Sequence, residues 1–291
     1  MNITAGKKIS AMNAGTVKLG AFRINRLGLG AMRITGRGIW GAPNDAASAK
    51  KLLKRAIESD VNFVDTADAY GPEVSERLIH DALHPYDGVV IATKGGMLRG
   101  GPNDWQVNAS PEHLRAACEA SLKRLGLEQI TLYQLHRPDP SVDFKSSMQA
   151  LIDLQREGKI RYIGLSNVSL KQLRQALEMT TIVSVQNHYN FEHRRASEDI
   201  LRLCEQQGLV FIPYFPIGGG NTDYNQQLIR RIADKHNASA HQIALAWLLA
   251  HSPALLPIPG TSSIKHLEEN IAAANITLDG EDMAALDKLA N

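Results

Sequence analysis

The stretch VNFVDTADAYG, residues 61–71, decides the architecture: a short run of branched and aromatic apolar residues stops at Asp65 and gives way to a small, polar loop carrying Tyr70. A strand this apolar belongs in a parallel sheet covered on both faces, and polar residues gathered at strand carboxyl ends mark the functional rim of such a sheet. The pattern repeats in both directions. Upstream lies LGLGAM (27–32). Downstream lie VVIATK (89–94), TLYQLH (131–136), YIGLSN (162–167), IVSVQ (182–186), VFIPYF (210–215) and LLPIP (255–259).

Segments of helical period separate these runs. Residues 46–59 place Leu52, Leu53, Ala56 and Ile57 on one face; 111–125 follows Ser110 as N-cap with Pro111 in the first turn; 144–157 stops before Gly158. Two helical stretches, near 225–236 and 239–250, follow the seventh strand, and 281–289 closes the chain. Eight strand–helix units predict an α/β protein, a single (β/α)8 TIM-barrel domain spanning 1–291, with an open doubly wound sheet as the competing architecture. Two short alternating runs, 16–20 and 21–25, straddle Gly20 and predict an N-terminal β-hairpin that caps one end of the barrel.

Composition narrows the function classes. With 44% hydrophobic and 21% charged residues the chain can bury a full core, which excludes disorder. A formal charge of +2 without a dense Lys/Arg run argues against a nucleic-acid partner. The two cysteines, Cys118 and Cys204, sit apart in helical segments and form neither a disulfide framework nor a metal site. The opening MNITAGKKIS lacks a signal-peptide core, and no run reaches the ~18 apolar residues of a membrane span, so a cytoplasmic location is expected. The sequence leaves the oligomeric state open, and a monomer suffices.

The strand ends carry the chemistry. In a barrel, Asp65 with Tyr70, Lys94 and His136 would face one mouth, at the ends of the second, third and fourth strands. A carbonyl that receives hydride develops negative charge on oxygen and needs a proton donor close by. A phenol can supply that proton. Its ordinary pKa near ~10 is high for the task, and an adjacent ammonium is expected to bring it down. Lys94 is the candidate cation, Asp65 its counter-ion, and His136 a hydrogen-bond donor that orients the carbonyl. Taken alone, Asp65 could cap a loop, Lys94 could be a surface residue and His136 a structural histidine; the four together make the constellation specific.

At these residues the chain resembles the aldo-keto reductase family over nearly its whole length. DTADAYG (65–71) followed by Ser75 and Glu76 is similar to the signature around that family's catalytic tyrosine, and Lys94 in IATK and His136 in LYQLH match two further motif positions. The resemblance implies Tyr70 as acid with Asp65, Lys94 and His136 completing a tetrad, reduction of a small carbonyl compound, and NADP(H) as cofactor. In EGKIRYIGLSN (157–167) it implies Ser166 and Asn167 as contacts of the nicotinamide carboxamide, with Gln186 as a third, and Tyr214 stacked on the nicotinamide ring. PGTSS (259–263) resembles the adenosine 2′-phosphate segment, which assigns Gly260, Thr261, Ser262, Ser263, Lys265, Glu269 and Asn270 to the cofactor; Gly30, Met32, Pro216 and Gly218 join them. Phe215 stands where a pyrophosphate-contacting serine is common, and Gly218, Gly219 and Gly220 can take over that task with backbone N–H groups.

The strings PYFPIGG (213–219) and IPGTSS (258–263) look most like the bacterial pyridoxal-reductase branch, which makes pyridoxal the preferred substrate. Arg33, Arg99 and Arg137 follow the first, third and fourth strands and either attract an anionic or polar aromatic aldehyde or form a solvated rim. Trp40 and Trp105 either wall the pocket or pin the loops. Many relatives carry a long C-terminal loop over the substrate site; the short stretch after the last helix implies a more open pocket. Two other readings compete. A dinucleotide fingerprint fails because Gly28 and Gly30 are followed by Arg33 at the third glycine position. A non-catalytic NADPH-binding regulatory barrel is the alternative from another class, and the tetrad argues against it.

Overall fold

The computed structural model describes residues 9–218 and 227–289 of the 291-residue chain. The expected hairpin forms first: β1 (Thr16–Leu19) pairs antiparallel with β2 (Phe22–Asn25) around Gly20, whose φ of +57° suits glycine. The Ala21 N–H donates to the Tyr162 hydroxyl at 2.9 Å, and a side chain at Gly20 would run into the same ring. Leu19 and Ile24 are buried with Phe63, Val90, Leu132, Val183, Val210 and Leu256, residues near the starts of the barrel strands. The hairpin therefore plugs the amino-terminal end of the barrel and leaves the carboxyl end open.

Seven parallel strands follow: β3 (Leu29–Gly30), β4 (Phe63–Asp65), β5 (Val90–Gly95), β8 (Ile130–Leu135), β9 (Ile160–Ser166), β10 (Ile182–His188) and β11 (Val210–Tyr214). They lie side by side in that order. Helices α1 (Ala46–Glu58), α2 (Val74–Leu83), α3 (Pro111–Leu125), α4 (Phe144–Arg156), α5 (Leu170–Met179) and α6 (Glu198–Gln207) fill the successive connections. After β11 come α7 (Gln227–Lys235) and α8 (Ala240–His251), the extra helix expected there, then α9 (Ile264–Ala272) and α10 (Gly280–Leu286). Ser110 caps α3 as expected, its side chain accepting from the His113 N–H. No described helix is long and apolar enough to cross a membrane.

Residues 255–259, expected as the eighth strand, close the barrel without forming a regular one. On one side the Leu256 N–H donates to the Phe211 carbonyl and the Phe211 N–H to that of Ala254, both at 2.9 Å; on the other, the Gly28 N–H donates to Pro257 at 2.9 Å and that of Gly30 to Pro259 at 3.4 Å. Pro257 and Pro259 have no N–H, so only part of a ladder can form. The seam also needs glycine, because a Cβ on Gly30 would stand 2.7 Å from the Ile258 carbonyl oxygen.

Other boundaries differ in instructive ways. The strand expected over 27–32 is only Leu29–Gly30, and Ala31–Ile34 winds into a 3-10 turn. Asn167 and Phe215, expected as last strand residues, lie one residue beyond β9 and β11, where positive φ values of 58° and 50° turn the chain off the rim. A second hairpin, β6 (Met97–Gly101) with β7 (Asp104–Val107), rises from the end of β5; its alternation is half solvated and broken by glycines, which masks it in the sequence. Gly219, Gly220 and the expected start of a helix near Asn225 lie outside the described residues.

Candidate active site

β4, β5, β8 and β10 each send one polar side chain into the upper barrel. Lys94 is wholly buried, and its ammonium donates to Asp65 Oδ2 at 2.5 Å, the Thr66 carbonyl at 2.9 Å and the Tyr70 hydroxyl at 3.3 Å. An ammonium has three N–H groups, and all three are used. Asp65 is held in turn: its Oδ1 accepts from Gln134 Nε2 at 3.0 Å and Gln186 Nε2 at 2.8 Å. Burying such a pair costs several kcal/mol per ion unless the remaining donors and acceptors are satisfied, as these five contacts do here. Burial disfavours the ammonium, yet Asp65 and Tyr70 outweigh burial and hold Lys94 above its ordinary pKa.

Tyr70 accepts the third Lys94 bond, and no acceptor for its own proton is found among the described residues. Burial pushes this phenol up; Lys94 pulls it down, and Asp65 pushes it back. The balance lies above the ordinary tyrosine value. This corrects the expectation that Lys94 makes Tyr70 a stronger acid outright: Lys94 limits the effect of burial without reversing it. The His136 ring meets Tyr70 edge-on, centres 5.9 Å apart. Burial, with Lys94 and Arg137, presses the imidazole well below its ordinary range, so it is neutral, and its buried Nδ1 has no hydrogen-bond partner.

Asp65, Tyr70 and His136 line a cavity of about 770 Å³ at the open barrel end, together with Met97, Trp105 and Val107 from the β6–β7 hairpin, while Lys94 lies behind the wall. Of the proposed cofactor residues, Gly30, Met32, Ser166, Asn167, Gln186, Tyr214, Pro216, Gly260, Thr261 and Ser262 line the same cavity. Asn167 organises its part of the wall. Its amide N–H groups reach the His136 carbonyl and Ser166 Oγ, each at 3.0 Å, while its Oδ1 accepts from the Tyr214 hydroxyl at 2.8 Å and Arg137 at 3.1 Å. His188 stacks behind Tyr214, centres 5.3 Å apart and planes 10° from parallel.

Gly218, Ser263, Lys265, Glu269 and Asn270 stand outside this cavity. Ser263 caps α9 with its Oγ toward the His266 N–H, and Thr261 Oγ1 accepts the Ser263 N–H at 3.0 Å. Lys265 is 82% exposed and pairs loosely with Glu269 at 3.8 Å; Asn270 is buried in α9. Arg33 and Arg137 line the cavity, whereas Arg99 does not, because backbone carbonyls take up its guanidinium. Cys118 and Cys204 are buried and free, with thiols pushed up to about 12 by burial, and no metal-binding group of three His, Cys, Asp or Glu exists among the described residues.

The sequence reading missed two features. Gln134 is a polar residue in the apolar run TLYQLH, two before His136 and therefore on the same strand face, which was the available signal. The second feature lies behind the tetrad, where Glu76 is wholly buried and accepts from Thr93 Oγ1 at 2.6 Å and Arg124 Nε at 2.5 Å. Beside it the buried Asp68 Oδ1 has no partner, and burial, then Glu76, push this carboxyl up to about 8.

A model of the aldo/keto reductase family matches residues 26–291. The chain is 46% identical over 284 residues to an uncharacterized oxidoreductase of Schizosaccharomyces pombe, covering 98% of this chain and 92% of the relative. It is 38% identical over 284 residues to pyridoxine 4-dehydrogenase of Escherichia coli, covering 95% and 98%. Among solved structures, an aldo-keto reductase of Klebsiella pneumoniae in complex with NADPH superposes with a TM-score of 0.79 at 28% identity, covering 94% of each chain.

Asp68 gives this arrangement a stability signature. Its folded value near 8 exceeds the unfolded value of ~3.9, so the native state keeps a proton that the unfolded chain releases, and stability falls as pH rises between the two values. Asp68→Asn removes that loss. Its melting temperature relative to the parent should climb from acid pH to about pH 8 and then level off; parallel curves across this range would contradict the assignment.

Proposed function

The chain belongs to the aldo/keto reductase family, and from that premise we propose that it reduces the carbonyl of a small aldehyde or ketone to the alcohol with NADPH, Tyr70 giving the proton. One observation carries the reading: the Tyr70 oxygen takes a hydrogen bond from the buried Lys94 ammonium while no described acceptor holds its own proton. The phenol can release that proton to an oxygen in the cavity, and the phenolate left behind faces a fixed positive charge 3.3 Å away. The neutral His136, edge-on to Tyr70, offers an N–H that orients the same oxygen without competing as an acid.

The residues present fit a reduced nicotinamide cofactor. Beside the Tyr214 ring, Ser166 Oγ accepts from Asn167 and retains its own proton, while the Gln186 side-chain oxygen has no described donor. Together they complement a carboxamide. Bound NADPH would supply the hydride; Ser166, Asn167, Gln186 and Tyr214 would hold its nicotinamide end. Gly260, Thr261 and Ser262, ahead of the amino terminus of α9, offer hydroxyl and backbone donors for the 2′-phosphate. Lys265 adds an exposed charge. Gly260 adds no charge, so the preference for NADPH over NADH rests on these donors and Lys265.

An aromatic, polar aldehyde of the pyridoxal type suits the walls best. Met97, Trp105 and Val107 give an apolar and aromatic side, and Arg137 lines the cavity near Tyr214. The similarity to pyridoxine 4-dehydrogenase supports the same class. Tyr70→Phe keeps the ring and removes the proton; consumption of NADPH with any aldehyde should fall by roughly two to four orders of magnitude with cofactor affinity nearly unchanged. Turnover within a few-fold of the parent would refute Tyr70 as the acid. Across an aldehyde panel, pyridoxal should show a higher kcat/KM than simple aliphatic aldehydes, and equal or lower values would refute the substrate class.

A further inference from the structure

Arg99, on β6, has no free donor left. Its Nε donates to the Asp104 carbonyl at 2.9 Å; one terminal nitrogen donates to Ile39 at 2.8 Å and Ala69 at 3.0 Å, the other to Gly38 at 3.0 Å and Gly101 at 3.2 Å. A guanidinium has five N–H groups, and all five end on backbone carbonyls. Those carbonyls belong to three separate segments. Gly38 and Ile39 lie in the connection after β3; Ala69 directly precedes Tyr70; Gly101 and Asp104 flank the tip of the β6–β7 hairpin. One of these segments leads straight into Tyr70, and the hairpin carries Trp105 beside the Tyr70 ring.

The same guanidinium lies 3.7 Å from the centre of the Trp105 ring and 5.7 Å from that of Trp40. Trp105 in turn meets Tyr70 edge-on at 6.4 Å and 82°, and His136 at 6.5 Å and 73°, while lining the cavity. One of its faces is held by a cation that is itself fixed at five points, so the indole has little freedom beside the two groups that act on the carbonyl oxygen.

We propose that Arg99 is a positioning residue: by fixing Trp105 against Tyr70 and His136 it sets how a substrate ring packs beside the reacting carbonyl, and so determines selectivity for aromatic over small aliphatic aldehydes without touching the substrate. The inference rests on the carbonyl-reductase reading above. Lysine cannot replace arginine here, because a point charge with three donors neither serves five carbonyls nor lies flat on an indole. The other bonds between these segments, such as the Asn103 N–H to the Gly38 carbonyl at 3.2 Å, do not reach Trp105.

The test compares the parent with Arg99→Lys, Trp105→Ala and the double variant as full-length chains. For each, kcat/KM is measured for benzaldehyde and propanal with NADPH, alongside the NADPH dissociation constant and indole emission. Arg99→Lys should lower the benzaldehyde-to-propanal ratio about tenfold while cofactor affinity stays within about twofold. Trp105→Ala, which leaves the carbonyl bonds in place, should lower the ratio by a similar factor, and the double variant should fall no further. An unchanged ratio in either single variant, or a double variant showing the product of the two losses, would overturn the proposal; should Arg99→Lys fail to fold, Arg99→Gln, which keeps a planar donor group but loses the cation, is read by the same criterion. If the parent consumes no NADPH with either aldehyde, it is the carbonyl-reductase reading that fails. Emission then reports the contact separately: a red shift in Arg99→Lys that vanishes when Trp105 is also replaced by Phe upholds it, and no shift overturns it.

Discussion

A lysine ammonium and an aspartate carboxylate sit in the barrel interior with at most 2% of either side chain exposed, and this pair constrains everything around it. Two ions taken out of water are tolerated only when each remaining donor and acceptor is met. Meeting them requires Gln134 from β8, Gln186 from β10 and the carbonyl of Thr66 at the end of β4, so four strands must stand in one register. Lys94 is opposite Gln134 in that register, and Gln186 opposite Ser166. A slip of one residue in any of these strands would turn its polar side chain outward and strand a charge in the core. Breaking such a pair by removing one partner typically costs about 3–5 kcal/mol, a large share of the stability of an ordinary domain.

The pair also decides what its neighbours can do. Tyr70 closes the third Lys94 bond, which fixes the phenol oxygen and leaves the proton for the cavity. The same positive charge, with burial and Arg137, keeps His136 neutral. In the proposed reaction a neutral imidazole beside a protonated phenol would divide the labour, one orienting the carbonyl and the other donating the proton. Gln186 belongs both to this inner network and to the cavity wall, so the support of the ion pair and the surface offered to a cofactor are not independent. The hairpin at the opposite end plugs the barrel with Leu19 and Ile24, leaving a single mouth for the chemistry.

Much of this was legible in the sequence because barrel physics writes it there. Apolar runs that end in Asp65, Lys94 and His136 follow from strands buried on both faces with a polar rim, and Ser110-Pro111 and Gly158 mark helix ends by local conformational preference. Apart from the strand-end contacts of Lys94 with Asp65 and Tyr70, interactions between segments distant in sequence were not legible. The two prolines of LLPIP already rule out a full ladder, but which bonds survive depends on which carbonyls Gly28 and Gly30 meet. Arg99 reads as a mouth charge until its five carbonyl partners, drawn from three connections, are seen. Asp68 reads as a loop residue until burial and Glu76 are placed beside it. The effect of Lys94 on Tyr70 was right in sign and incomplete in sum, because desolvation is a property of the fold and has no local signature.

The central claim is that the buried Lys94 charge enables proton donation by Tyr70. The most direct measurement is the single-turnover rate of NADPH oxidation by Lys94→Met with saturating cofactor and an aldehyde substrate. The account predicts a rate per folded, NADPH-bound molecule lower by about two to four orders of magnitude, in a protein whose melting temperature falls because Asp65 loses its counter-ion. A rate within a few-fold of the parent, in a folded protein that binds NADPH normally, would contradict it.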